Sequence, residues 1–204
     1  MSNTLASAEI TDKAQRSLDR FKETFKVDDI PAGIQALAAS ETGIHDLYMN
    51  LKRQLDEGAL SKADKYLVAI GVASAAGSAG ALEFLSAAAR EEGVDPQSIA
   101  DAVAVATVCA VFNGYYKFRH LAPEGEFDNF KAPFNANSFM KSSLDTAKTE
   151  MICVAVSNYH SCNMCVTGHL AKARQAGVSD EQIDETIKAT AVAMALAGAA
   201  SSLG

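Results

Sequence analysis

The chain has 204 residues, of which 49% are hydrophobic and 21% are charged, and it carries a net charge of −7 at pH 7. This composition indicates a folded globular protein with a sizeable core. The negative charge argues against proteins that bind nucleic acid or membranes through basic surfaces, so we expect a small molecule or another protein as the partner.

The first residues of the chain contain no basic segment followed by an apolar stretch. We therefore expect no secretory signal and a cytoplasmic chain with reduced thiols. Two uncharged runs, residues 67–82 and 189–203, consist mostly of Ala, Gly and Ser. Their short length and small side chains predict closely packed buried helices rather than membrane spans.

Helical periodicity runs through most of the chain, beginning with the apolar residues from Ile10 to Phe25 and from Ile44 to Leu55. Apolar residues at intervals of three and four positions predict an all-α fold. Glycines that follow such patterns mark expected helix ends, and polar residues that precede them mark expected helix starts. The ends are predicted at Gly58, Gly93 and Gly177, and the starts at Ser61, Asp95 and Ser179.

An irregular segment, residues 120–139, lies between two similar parts of the chain. Glycine, prolines and asparagines break the helical pattern there and predict a connecting loop. Residues 65–113 align with residues 149–197 without a gap, at a constant shift of 84 positions. The alignment predicts an internal repeat of helices.

This repeat predicts a single all-α domain over residues 1–204, with repeat halves at about 61–118 and 145–201. The two halves differ in their chemistry. Two cysteines and a histidine of the second half align with a serine, an alanine and a leucine of the first half. A functional site is therefore expected in the second half.

The segment YHSCNMCVTGHL, residues 159–170, places two cysteines three positions apart and a histidine four positions after the second. Near a helix start, for which Ser161 is the predicted cap, the helix dipole lowers the pKa of a thiol and favours the reactive thiolate. His169 lies one turn after Cys165, where its imidazole could exchange a proton with that thiol. Cys165 is therefore the better candidate nucleophile, and Glu150 is a carboxylate that could orient His169.

Two other interpretations of the cysteine pair stay open on the residues alone. The pair could be structural, or it could bind zinc together with two neighbouring histidines. Zinc fits less well because all four ligands would fall in one segment. The four ligands would be Cys162, Cys165, His169 and His160.

The remaining cysteines and histidines show no pattern of a site. Cys109 and Cys153 fall at apolar helical positions, so we expect buried, inert thiols there. His45 and His120 have no neighbouring partner pattern, and we expect them at the surface or in a loop.

Glu150 and the segment CNMCVTGH, which runs from Cys162 to His169, match the pattern of the AhpD alkylhydroperoxidase family. That pattern is a glutamate, eleven intervening residues, and then C-x-x-C-x-x-x-H. The chain resembles the longer, two-repeat members of this family, which lies within the carboxymuconolactone decarboxylase-like group. The resemblance implies an all-helical homo-oligomer, a trimer or a multiple of trimers, with no metal and no bound organic cofactor.

The resemblance also implies a role for each residue of the motif. Cys165 would be the peroxidatic cysteine, which a hydroperoxide oxidises to a sulfenic acid, and Cys162 would be the resolving cysteine that forms a disulfide with it. Glu150 and His169 would form a proton relay. An external dithiol, such as the dihydrolipoamide form of a lipoyl group on a partner protein, would then reduce the disulfide.

Met164 departs from the family pattern, because well-known peroxidases of the family have a histidine just before the second cysteine. His160, two residues before Cys162, is a possible accessory residue in its place. Three functions are therefore carried forward. The first is a thiol-dependent peroxidase, the second a dithiol-disulfide oxidoreductase with little peroxidase activity, and the third a non-enzymatic helical assembly module with structural or zinc-binding cysteines.

Overall fold

The computed structural model describes residues 9–127 and 129–202, which form ten α-helices and contain no strand. The all-α class predicted from the sequence is confirmed. The helices are α1 (Asp12–Phe25), α2 (Ala32–Leu37), α3 (Glu41–Gln54), α4 (Lys62–Ala75), α5 (Ala79–Glu91), α6 (Pro96–Leu121), α7 (Asn137–Lys141), α8 (Thr146–Tyr159), α9 (Asn163–Gln175) and α10 (Asp180–Ser201).

The predicted helix starts coincide with helix caps. Ser61, Asp95 and Ser179 are the N-caps of α4, α6 and α10, and each side chain accepts a hydrogen bond from the backbone N–H three residues later. These bonds satisfy N–H groups that have no partner inside the helix. The sequence therefore located the starts of three long helices.

The predicted helix ends agree with the structure at two of three glycines. Gly93 and Gly177 follow α5 and α9 with φ of 82° and 89°, in the left-handed region where glycine is favoured. The prediction at Gly58 was wrong, because α3 ends at Gln54. Ile10 also lies outside the helix that its spacing suggested, since α1 begins at Asp12.

The helical repeat is visible in the positions of the helices. Helices α4, α5 and α6 begin at residues 62, 79 and 96, and helices α8, α9 and α10 begin at residues 146, 163 and 180. Each start in the second set follows its counterpart by 84 residues, which is the shift found in the sequence. The loop predicted over residues 120–139 is shorter than expected, because α6 continues to Leu121 and α7 begins at Asn137.

Helices α4 and α8 form the centre of the fold. Residues 65–73 of α4 and 149–157 of α8 are buried without interruption, as expected for helices enclosed on all sides. The two helices pack against each other and against α6 and α10, while α5 covers α4 and α9 covers α8. A Cβ atom on Gly71 would lie 2.8 Å from Cγ2 of Ile152, so the close approach of α4 and α8 requires a glycine there.

Among the described residues, helix α6 is long and apolar enough to cross a membrane, judged by length and composition alone. Its most apolar window has a mean hydropathy of 1.4, and 28% of that window is buried. The core helix of a soluble protein passes the same test, so this is weak evidence for a membrane span. Helix α6 packs against both central helices and leaves Val111 and Phe118 exposed.

Candidate active site

Glu150 lies in the second turn of α8 and is only 8% exposed. The burial follows from the central position of α8, and a buried carboxylate is costly unless it has a partner. The partner is His169 on α9, whose Nδ1–H donates to Oε2 of Glu150 at 2.6 Å. The packing of α9 on α8 thus joins two residues that lie 19 positions apart in the sequence.

The two motif cysteines lie at the start of α9. Cys162 is the N-cap and Cys165 lies in the first turn, so the cap predicted at Ser161 was wrong by one residue. The Cα atoms of the two cysteines are 5.3 Å apart, and their sulfur atoms are joined as a disulfide. The helix start favours the thiolate form of a reduced thiol at Cys165.

The imidazole of His169 is largely buried, and its environment strongly changes its acidity. Burial acts to lower the pKa of His169, but hydrogen bonding to Cys109 and to Glu150 outweighs it and raises the pKa to about 9. At neutral pH the ring is therefore protonated in the form that has the disulfide between Cys162 and Cys165. A protonated imidazole at this position can supply a proton to a neighbouring sulfur or oxygen atom.

A cavity of about 430 Å³ opens beside the cysteine pair. Cys165 and His169 both line it, which places the candidate nucleophile and the candidate proton donor at one surface. The rest of the wall is mainly aromatic and aliphatic, with one cation. These lining residues are Phe112, Tyr116, Ala136, Phe139, Met164, Gly168 and Lys172.

Met164, the departure from the family pattern, is 51% exposed at the wall of this cavity. The cavity therefore has a flexible thioether where the family peroxidases have an imidazole. A thioether neither donates nor accepts a proton at neutral pH. Besides Cys165, the titratable side chains that line this cavity are therefore Tyr116, His169 and Lys172.

Cys109 and Cys153 lie much closer to the motif than the sequence indicated. Both are fully buried, as predicted, but their sulfur atoms and a ring nitrogen of His169 all lie within 4.8 Å of one another. Hydrogen bonding to Cys153 and to His169 lowers the pKa of the Cys109 thiol to about 5. No pattern in the sequence pointed to this cluster, because the crossing of α6 over α8 brings Cys109 to the site.

His160, the possible accessory residue, is the C-cap of α8 and contacts a buried amide. Nδ2 of Asn113 donates to Nδ1 of His160 at 3.2 Å, and Oδ1 of Asn113 accepts from Ser157 at 3.0 Å. Burial lowers the pKa of His160, which favours the neutral ring that accepts this bond. His160 is not among the residues that line the cavity beside Cys165.

The other two histidines stand apart from the site. His45 on α3 and His120 at the end of α6 are both exposed, as the sequence suggested. Neither lines the cavity that contains Cys165.

The chain matches the family model described as the carboxymuconolactone decarboxylase family over residues 43–122 and again over residues 126–204. The two matches confirm the repeat. An alkyl hydroperoxide reductase AhpD from Anaeromyxobacter dehalogenans is 33% identical over 159 residues, which are 75% of this chain and 85% of that protein. The AhpD of a Methylobacterium species is 36% identical over 140 residues, which are 69% of this chain and 78% of that protein.

These similarities cover the helices that carry the four motif residues as well as the first repeat. They confirm the resemblance that the motif suggested and extend it over most of the chain. The chain therefore belongs to the carboxymuconolactone decarboxylase family, as an AhpD-like member of it.

Proposed function

We propose that the protein is a thiol-dependent peroxidase that reduces organic hydroperoxides or hydrogen peroxide through a disulfide between Cys162 and Cys165. The observation that carries the proposal is the placement of Cys165 and His169 on one cavity wall, with His169 hydrogen-bonded to Glu150 at 2.6 Å. The candidate nucleophile and the candidate proton carrier thus line one cavity, and Glu150 is placed to orient the carrier. The AhpD names of the relatives support the same activity.

In the first step, the thiolate of Cys165 attacks the terminal oxygen of the hydroperoxide. A sulfur–oxygen bond forms, the oxygen–oxygen bond breaks, and the alkoxide takes a proton from His169 and leaves as an alcohol. Glu150 accepts the Nδ1–H bond of His169, so Nε2 is the nitrogen that carries the exchangeable proton. Cys165 becomes a sulfenic acid.

In the second step, the thiolate of Cys162 attacks the sulfur of that sulfenic acid. A sulfur–sulfur bond forms, and the hydroxide that leaves is protonated to water. The Cα separation of 5.3 Å lies within the range that a disulfide needs. The whole cycle converts one hydroperoxide and two thiols into one alcohol, one water and one disulfide.

An external dithiol then reduces the disulfide by thiol–disulfide exchange. We propose a dihydrolipoyl group on a partner protein as this reductant, in a cytoplasmic setting. The mainly apolar cavity beside Cys165 suits the short aliphatic chain of such a group. No bound cofactor takes part in this scheme.

We also propose that the protein is a homo-oligomer, a trimer or a multiple of trimers. Several large apolar side chains are more than a third exposed in the isolated chain. A monomer rarely exposes a large cluster of such side chains. They include Val111, Phe118 and Leu121 on α6, Phe130 and Phe134 in the segment after it, and Met140 on α7. Light scattering at micromolar concentration tests this proposal, and a monomeric mass would contradict it.

The peroxidase proposal is tested by the thiols themselves. The reduced protein, which has four cysteines, should lose two titratable thiols after one equivalent of cumene hydroperoxide. Peptide mapping should then find Cys162 linked to Cys165. A matched Cys109→Ala/Cys153→Ala variant, which keeps the motif pair, should lose the same two thiols, whereas unchanged thiols in both proteins would reject the proposal.

A second candidate, a dithiol-disulfide oxidoreductase, is favoured by one observation. Met164 lines the cavity where the family peroxidases have a histidine, so a peroxide would meet one proton donor fewer. Fast exchange with small disulfides, together with negligible hydroperoxide consumption by the same preparation, would support this candidate over the peroxidase.

A further inference from the structure

Two buried cysteines lie close to His169 of the candidate active site, and all three are side chains of kinds that bind zinc. The sulfur atoms of Cys109 on α6 and Cys153 on α8 and a ring nitrogen of His169 on α9 all lie within 4.8 Å of one another. Ligands of one tetrahedral zinc ion are about 3.5–4 Å apart, given zinc–sulfur bonds of roughly 2.3 Å and zinc–nitrogen bonds of roughly 2.0 Å. Small side-chain rotations therefore suffice to place all three on one ion.

We infer that Cys109, Cys153 and His169 form a binding site for Zn²⁺ or a similar thiolate-seeking cation. The two thiols are fully buried, and neither has a role in the peroxidase scheme above. Two thiolates balance the charge of a divalent cation and a neutral imidazole adds none, so the ion and its three ligands together carry no net charge. This charge balance removes the main cost of burying an ion in a helical core.

The surroundings of His169 match those of a metal-ligating histidine. Such histidines usually donate their other ring N–H to a carboxylate, which fixes the tautomer and makes the free nitrogen a better ligand. Here Nδ1–H of His169 donates to Oε2 of Glu150 at 2.6 Å, so Nε2 is the nitrogen that would give up its proton and bind the metal. The carboxylate that orients the proton relay would also support the metal site.

The surroundings of Cys109 also suit a thiolate ligand. Its sulfur atom lies 3.6 Å from Oγ of Ser157, whose hydroxyl can turn from Asn113 to donate to a thiolate. The thiol of Cys153 and the imidazole of His169, both within 4.8 Å, can also stabilise a thiolate at Cys109 by hydrogen bonding. Zinc binding requires the thiolate form, and a thiol that ionises easily binds the ion at a lower cost.

Occupancy of this site would inhibit the enzyme, and this consequence rests on the proposed function. A zinc ion on Nε2 of His169 would occupy the nitrogen that gives its proton to the leaving alkoxide. The catalytic cycle needs no metal, so the inferred ion is an inhibitor and not a cofactor. Zinc would thus couple the metal supply of the cell to the activity of the peroxidase.

The binding test uses the full-length Cys162→Ser/Cys165→Ser variant, which removes the motif thiols as competing ligands. Zinc is titrated in competition with a chromophoric chelator, and we expect one zinc ion per chain. Adding Cys109→Ser or Cys153→Ser should weaken binding by more than about a hundredfold, which exceeds the loss of roughly 10- to 100-fold typical for an outer-shell residue. His45→Ala, which removes an exposed histidine on α3 that is not part of the cluster, should leave binding unchanged.

Because this variant has no motif cysteines, the test is independent of whether the protein is a peroxidase. Circular dichroism of each variant establishes that it is folded, and Co²⁺ in place of zinc reports thiolate ligation by a charge-transfer band. The inference is overturned if the variant binds no zinc, if binding survives the loss of both buried thiols, or if Cys109 and Cys153 are found joined as a disulfide in the reduced preparation.

Discussion

Nδ1 of His169 lies 2.6 Å from Oε2 of Glu150, and the two side chains are 13% and 10% exposed. Helix α8 supplies the carboxylate and helix α9 supplies the imidazole. A short hydrogen bond between two largely buried groups holds the ring in one tautomer and one orientation. The contact therefore fixes the orientation of the imidazole that we propose as the proton carrier.

Glu150→Gln keeps the size of the side chain but removes its charge. We expect kcat/KM for cumene hydroperoxide to fall by roughly 10- to 100-fold, because the amide orients the ring but no longer stabilises its protonated form. Glu83→Gln, a change at an exposed glutamate on α5, is the control and should be neutral. Equal activity of the two variants would remove Glu150 from the proton relay.

The same variant should change how stability depends on pH. The pKa of His169 is raised from 6.5 to about 9 in the folded protein, so protonation of this ring stabilises the fold. The contribution is fully present below pH 6.5 and is lost as the pH rises through about 9. We expect the free energy of unfolding of the wild type to exceed that of Glu150→Gln below pH 6.5, and the difference to shrink towards pH 9. Urea unfolding of both proteins across this range measures it, and a difference that grows with pH would contradict the assignment.

The sequence predicted the motif residues of the candidate site but did not predict that Cys109 lies beside them. Cys165 and His169 are four positions apart on one helix, so helical geometry alone places them on one face. Glu150 was named as a carboxylate that could orient His169 and was supported by the family pattern, but the packing of α9 on α8 that joins the two residues cannot be calculated from spacing. Cys109 reaches the site through the crossing of α6 over α8, which leaves no trace in the local sequence.

The two motif cysteines should fail in different ways when each is replaced by serine. Cys165→Ser should abolish turnover, because no attacking sulfur remains at the cavity. Cys162→Ser should still react once with the hydroperoxide and stop at the sulfenic acid of Cys165, since no second thiol resolves it. Trapping with dimedone followed by intact mass measures the difference, and trapping in Cys165→Ser at the level expected for Cys162→Ser would reverse the two roles.

Asn113 links His160 to the buried core, so these residues should act more on stability than on catalysis. Asn113→Ala leaves the Ser157 hydroxyl without its 3.0 Å acceptor, and we expect the free energy of unfolding to fall by about 1–3 kcal/mol. Asn158→Ala, at an exposed position on α8, is the control and should change it little.

His160→Ala tests the accessory role directly. If the contact between Nδ1 of His160 and Asn113 is structural, kcat/KM should stay within about twofold of the wild type, well above the value for Glu150→Gln. A loss of activity as large as that of Glu150→Gln, in a protein that melts at the wild-type temperature, would instead make His160 part of the relay.

Ser161 has a left-handed backbone conformation, and the equivalent position in the first repeat is a glycine. Ser161 has φ of 57°, and Gly77, which lies 84 residues earlier, has φ of 67°. The backbone N–H groups that follow them make the same bond, from Cys162 to Ser157 at 3.0 Å and from Ser78 to Ala73 at 3.1 Å. The left-handed turn before the cysteine helix is therefore kept in both repeats.

A left-handed conformation costs a residue with a Cβ atom roughly 1–2 kcal/mol, and glycine avoids most of this cost. Ser161→Gly should therefore raise the free energy of unfolding by about 1 kcal/mol, while Gly77→Ser should lower it by a similar amount. Urea unfolding of the two variants and the wild type measures both changes.

Because the Ser161 side chain is exposed, we expect peroxidase activity to be unchanged in Ser161→Gly. A stabilised variant with slower turnover would instead show that strain at this turn helps the reaction at Cys165, and a variant with no gain in stability would mean that the serine is unstrained.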